Sequence, residues 1–109
     1  MPKRRLTQAD ARRIALALPE ATEGAHMGHA DFRVGNKIFA SLPKSGQVAM
    51  KIAPENLDAL VRSDPETFKD VWGGRWLGVN LDRVARPVLR DLLEDAWRLT
   101  APKGLRNSR

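Results

Sequence analysis

The sequence predicts a single α+β domain in which an antiparallel meander carries helices on one face. Three observations lead there. Apolar residues recur with helical period near both ends of the chain. Between residues 32 and 52 the period falls to two, broken by two tight turns. And 109 residues, 42% of them hydrophobic, suffice for one core rather than two. Strands and helices segregate in the expected order α-β-β-β-β-α-β-α.

The first helix is expected from about Thr7 to Leu18. Thr7 and Asp10 resemble a capping box with Asp in place of the usual Glu. Ala11, Ile14, Ala15 and Leu18 then follow the i, i+3, i+4, i+7 pattern, and Pro19 stops it. A strand is expected around Glu23–Met27, although its alternation is poor. Phe32 and Val34 alternate before Gly35-Asn36, and Ile38, Ala40 and Leu42 alternate after it. Val48, Met50 and Ile52 follow the turn Pro43-Lys44-Ser45-Gly46.

Register decides which side chains share a face. A three-residue turn at Gly35-Asn36-Lys37 pairs Val34 with Ile38 and Phe32 with Ala40, which gathers every alternating apolar residue on one side. A two-residue turn pairs Phe32 with Phe39 and splits the set. The three-residue turn is therefore expected. It leaves Arg33, Phe39, Ser41, Ala49 and Lys51 on the opposite, open face. Downstream, Pro54 opens a helix carrying Leu57, Leu60 and Val61, and Asp64-Pro65 ends it. Leu77, Val79 and Leu81 mark a strand over Trp76–Leu81, which adds Trp76 and Asn80 to the open face. Pro87 opens and Pro102 closes the last helix, whose apolar stripe is Leu89, Leu92, Leu93, Ala96, Trp97 and Thr100.

Composition narrows the function. With no cysteine, disulfides, thiolate nucleophiles and Cys-ligated metals are excluded. No run approaches the roughly 20 apolar residues of a membrane span, and the N-terminus lacks an apolar signal region. A cytoplasmic protein without membrane contact is expected. The net charge is +6. Lys3, Arg4 and Arg5 at one end and Lys103, Arg106 and Arg109 at the other are six of 19 basic residues, leaving 13 against 13 acidic ones. Hence the chain divides into a basic N-terminal tail (1–5), a neutral domain (6–102) and a basic C-terminal tail (103–109). Basic arms alone can hold a phosphate backbone.

Chemistry-bearing motifs are sparse. His26, His29 and Asp31 have metal-ligand residue types, but Gly28 interrupts them and no third nitrogen or sulfur ligand exists. Asp91, Glu94 and Asp95 lie on the polar side of the last helix, where a solvated face explains them; Asp82 stands alone. No serine has a neighbouring His or a nucleophile elbow, and no phosphate-binding glycine loop occurs. Neither catalytic residues nor a metal or cofactor are expected, and the protein reads as non-enzymatic. Val71-Trp72-Gly73-Gly74-Arg75-Trp76 admits two readings. In one, Trp72 caps the core edge and Arg75 lies on an indole as a cation–π contact. In the other, Trp76, Phe39, Arg33 and Lys51 form an aromatic and basic platform that stacks bases and follows phosphates.

The stretch Leu18-Pro19-Glu20-Ala21-Thr22-Glu23-Gly24, followed by Gly28-His29-Ala30-Asp31-Phe32-Arg33-Val34-Gly35-Asn36-Lys37-Ile38-Phe39-Ala40, resembles the signature of the MmcQ/YjbR family. Ala96-Trp97-Arg98-Leu99-Thr100-Ala101-Pro102-Lys103 is similar to that family's C-terminal helix, so the likeness runs from about Arg5 to Leu105. Phe68–Arg75 departs from the commoner form, in which a His precedes a Trp-x-x-Val strand; only Trp76-Leu77-Gly78-Val79 is kept. The resemblance implies a CyaY-like fold shared with frataxins and a DNA-binding role through two β-hairpin wings. It brings no catalytic residues. Frataxin-type iron handling uses an acidic ridge on the first helix, and Thr7-Gln8-Ala9-Asp10-Ala11-Arg12-Arg13 lacks one.

Together these readings point to weak, sequence-tolerant binding of nucleic acid, DNA in double- or single-stranded form, by a monomer. Arg33, Lys37, Lys44, Lys51 and Arg75 are expected to reach phosphates, and Phe39 and Trp76 to stack on bases. The alternative is a non-enzymatic module whose open face takes a protein or small ligand, which the neutral body favours.

Overall fold

The computed structural model describes residues 5–26 and 28–107. Residues 1–4 of the N-terminal basic tail, Met27 of the expected first strand, and residues 108–109 of the C-terminal tail lie outside that description, as do the side chains of His26, Arg106 and Asn107. Helix α1 (Gln8–Leu16) leads into strands β1 (Thr22–His26), β2 (His29–Val34), β3 (Lys37–Ser41) and β4 (Val48–Lys51). Then come α2 (Pro54–Ser63), β5 (Phe68–Val71), β6 (Trp76–Val79), α3 (Arg86–Thr100) and α4 (Lys103–Asn107). The strands form one antiparallel sheet in the order β1-β2-β3-β4-β6-β5. The class is α+β, with the helices packed on the sheet.

Local signals explain most elements. The Thr7 hydroxyl accepts from the Asp10 backbone N–H, and the Asp10 carboxylate accepts from the Thr7 N–H at 2.8 Å, so the reciprocal box is complete. Pro54 and Pro87 stand in the first turns of α2 and α3, where their missing N–H is harmless. Helix α3 lies across β3 and β4 and packs against α1. Its Leu89, Leu93, Ala96 and Trp97 are fully buried among Phe32, Val34, Ala40, Met50 and Leu77. The Trp97 indole N–H donates to the Pro19 carbonyl at 2.9 Å, so the largest core side chain leaves no polar group unpaired.

Three expectations are corrected. The β2–β3 turn has two residues, not three: Val34 pairs with Lys37, and both Gly35 (φ 59°) and Asn36 (φ 65°) take the left-handed backbone of a type I′ hairpin. The apolar set is kept together by a β-bulge. Arg33 pairs with Ile38 but Phe32 pairs with Ala40, so three residues of β3 oppose two of β2. The extra residue, Phe39, turns into the core and is fully buried, while Ile38 moves to the open face and is half-buried. Phe39 therefore leaves the open face on which the sequence pattern had placed it.

A sixth described strand, β5, lies where none was expected. Phe68-Lys69-Asp70-Val71 carries no run of alternating apolar residues because it is an edge strand, with only Phe68 fully turned into the core. Finally, the segment read as a basic C-terminal tail begins with α4, whose Leu105 packs partly buried against the core.

Candidate nucleic-acid interface

With the helices on one side, cross-strand register arranges the other face in two rows. One row falls in two parts, Arg33 beside Ile38 and, further across the sheet, Lys51, Trp76 and Val71; the other runs unbroken through Asp31, Ser41, Ala49, Gly78 and Lys69. Arg33 sits on β2 and Lys51 and Trp76 face each other as partners on β4 and β6. The register thus brings Arg33, Lys51 and Trp76 to one end of one face. Two turns bound that end, one carrying Lys37 and the other Arg75, and both side chains are exposed. Lys44, also exposed, sits in the β3–β4 loop at the opposite end. Phe39 lies on the core side and takes no part.

Arg33 is already engaged. Its Nε and Nη2 donate to the two oxygens of Asp31 at 2.8 and 3.1 Å, a fork in which Asp31 is 1% exposed. Asp31 in turn holds the guanidinium above its already high pKa. The pair lies over Gly24, where a Cβ would come within 2.9 Å of Arg33 Nε. Arg33 therefore serves first as the counter-ion of a buried carboxylate.

Sequence reading missed the residue that stands out most on this face. Trp72 does not cap the core: it is 60% exposed and packs edge-to-face on Trp76, ring centroids 5.3 Å apart. It opens the β5–β6 turn with φ 61°, followed by Gly73 (84°) and Gly74 (92°). A bulky side chain in the left-handed region is strained. Asp70 fixes the turn by accepting from the Gly74 N–H at 2.8 Å. The sequence signal was the Gly-Gly pair, which permits a turn in which the preceding residue is also left-handed.

Beside Trp72 runs a groove of about 430 Å³. Its floor is Ala49 and Gly78, its far wall Val71 and Trp72, and its near wall the β3–β4 loop from Pro43 to Gln47. Gln8 pins that loop, its amide donating to the carbonyls of Pro43 and Gln47, each at 2.9 Å. Gln47 Oε1 accepts from the Leu81 N–H at 2.6 Å. Lys69 stands on the rim, as does Glu66, whose carboxylate faces Arg83 at 3.5 Å.

A second cleft, about 750 Å³, opens on the helical side between α2 and α3, lined by Ile52, Leu60, Leu92 and Asp95. Burial there pushes the Asp95 carboxyl up, with Arg98 opposing and Asp91 and Glu94 adding to it. Among the described residues no group of three or more His, Asp or Glu side chains is placed to hold a metal ion. Likewise no helix among them is long and apolar enough to cross a membrane.

No curated protein matches the chain. Among solved structures it is similar to Deinococcus radiodurans protein DR2400, a crystal structure described by a DUF419 family-model domain. The TM-score is 0.78 at 23% identity, covering 90% of this chain and 80% of that one. This likeness, at such identity, speaks for the fold. The YjbR family model matches residues 16–99, from the last turn of α1 almost to the end of α3. The chain belongs to the YjbR family.

Proposed function

We propose that the open sheet face binds nucleic acid, preferring single strands and tolerating any sequence, without catalysing a reaction. One observation carries this reading: a 60% exposed tryptophan, held in strained backbone, stacks its edge on a second tryptophan beside Lys51. An exposed aromatic pair has little stabilising return of its own, and it suits a partner with flat faces and negative charge. Lys37 and Arg75 on the hairpin turns supply cations at that end, Lys69 on β5 adds one along the face, and Lys44 stands in the loop at the opposite end. This widens the expected set by Trp72 and Lys69, removes Phe39, and gives Arg33 a supporting role.

Titration of Trp72→Ala and Trp76→Ala against matched single- and double-stranded oligonucleotides tests it. Stacking contributes about 1–3 kcal/mol per base, so single-strand affinity should fall roughly 5- to 150-fold, and duplex affinity less. Equal losses on both substrates would sink the platform. The neutral body and the apolar-floored groove favour a second reading, an uncharged or apolar small ligand. Salt separates the two, because phosphate binding weakens steeply as salt rises and apolar binding does not.

A further inference from the structure

We infer that the groove between Trp72 and the β3–β4 loop is a subsite for one nucleobase with its phosphate, the ring against Trp72 and the phosphate on Lys69. This rests on the nucleic-acid reading for its biological source, since the same ring and phosphate occur in a strand and in a free nucleotide. At about 430 Å³ the groove falls within the roughly 300–1,000 Å³ of small-ligand clefts. Its depth comes from the two smallest side chains on the open rows. Ala49 and Gly78 are paired neighbours, so the face is lowest where they meet. A Cβ on Gly78 would lie 3.0 Å from Val71 Cγ1, so the wall already leans over the floor there.

The walls are fixed before any ligand arrives. Gln8 and Gln47 hold the loop, and Asp70 holds the turn that presents Trp72. Prepaid order of this kind is what a binding site needs, since loops ordered on binding cost affinity. Polar recognition is available at the rim. Gln47 commits its oxygen to Leu81, and among the described residues its NH₂ donates to no protein group, which leaves two donors for ring acceptors. Lys69 has no carboxylate partner among the described residues, whereas Glu66 faces Arg83. With Glu66 turned to Arg83, Lys69 is the charge on the rim left for a ligand, and it suits an anion. Trp72 is the remaining observation: glycine would fit φ 61° without strain, yet an indole occupies the position and stays exposed. Folding gains little from that choice, and ring stacking explains it.

Calorimetric titration of the full chain with adenosine 5′-monophosphate and with an oligothymidine decides the matter, using wild type, Ala49→Leu, Trp72→Gly and Lys69→Gln. Saturable binding of the mononucleotide is expected. It should weaken about tenfold or more in Ala49→Leu, which fills the floor, and in Trp72→Gly, which removes the wall. Trp72→Gly should melt close to wild type, because relief of the strained backbone offsets the lost edge contact with Trp76 and the freer unfolded chain. A clearly lower Tm for it would overturn the claim that the indole is kept for a ligand. Should Ala49→Leu fold poorly, Trp72→Gly and Lys69→Gln decide, since both positions are exposed. If the oligonucleotide binds while the mononucleotide does not, and Ala49→Leu changes nothing, the subsite falls and the broader function stands. Mononucleotide binding without tighter oligonucleotide binding keeps the subsite and removes the strand reading. No binding of either probe overturns both.

Discussion

Phe39 shows how much one inserted residue moves. Its alternation with Ile38 and Ala40 reads equally well in either register, and only the bulge opposite Phe32 and Arg33 decides that the phenyl ring enters the core. A bulge has no sequence marker here, so this part of the site was not legible. The consequence is measurable: Phe39→Ala should cost about 3–5 kcal/mol of stability, as for other buried phenylalanines. Ile38→Ala, half-buried on the open face, should cost clearly less. Urea unfolding of the two variants checks this, and the reverse order would restore the unbulged register. Two aspartates carry opposite pH signatures. The Thr7 backbone N–H, assisted by Arg86 and opposed by burial, holds the Asp10 carboxyl below its usual value. Its stabilising effect is present at neutral pH and lost as pH falls below about 4 and through that lowered value. Asp95 is raised, so its ionised form weakens the fold at neutral pH and its protonated form does not. Asp10→Asn should therefore lower Tm at pH 7 and Asp95→Asn should raise it, with both differences shrinking toward pH 3. A shift of the same sign in both variants would contradict the environments described for them.

Elements differ in how much of themselves they write into sequence. Helices α1, α2 and α3 announced their starts through Thr7–Asp10, Pro54 and Pro87, because caps and first-turn prolines are local chemistry. Strand β5 did not, because an edge strand needs few apolar side chains, and Phe68 is its one fully buried residue. The two-residue turn was readable in Gly35-Asn36, where both residues tolerate positive φ, but the alternating pattern outweighed it. That turn also meets the C-terminal segment. A Cβ on Gly35 would lie 2.9 Å from Pro102 Cγ, so the hairpin and the end of α3 share a contact surface. Gly35→Ala should lose roughly 1–2 kcal/mol from the left-handed backbone alone, with more from the Pro102 clash. Adding Pro102→Ala should recover part of that loss in a double-mutant cycle. Strict additivity would show that the backbone accounts for the whole effect.

At the scale of the whole molecule, the question is where phosphates would meet positive charge. The net +6 is carried by residues near the two ends, yet the platform and groove lie on a body in which 13 basic residues balance 13 acidic ones. Steering by the ends and holding by the face are separable, because each phosphate contact on a single strand contributes about 0.7 to the slope of log affinity against log salt. Deleting the C-terminal segment is a poor way to separate them. It removes α4, whose Leu105 packs on the core, and so mixes charge with stability. Neutralising side chains is cleaner. Replacing Lys3, Arg4 and Arg5 together with Gln should flatten the oligonucleotide salt slope by up to roughly 2 if all three touch phosphates. It should leave mononucleotide binding in the groove unchanged. Lys51→Gln, beside Trp76, should flatten the slope by about 0.7 and weaken single strands more than duplex. A tail variant that abolishes binding outright, with Lys51→Gln and Trp72→Ala neutral, would place recognition in the N-terminal arm and leave the open face a bystander.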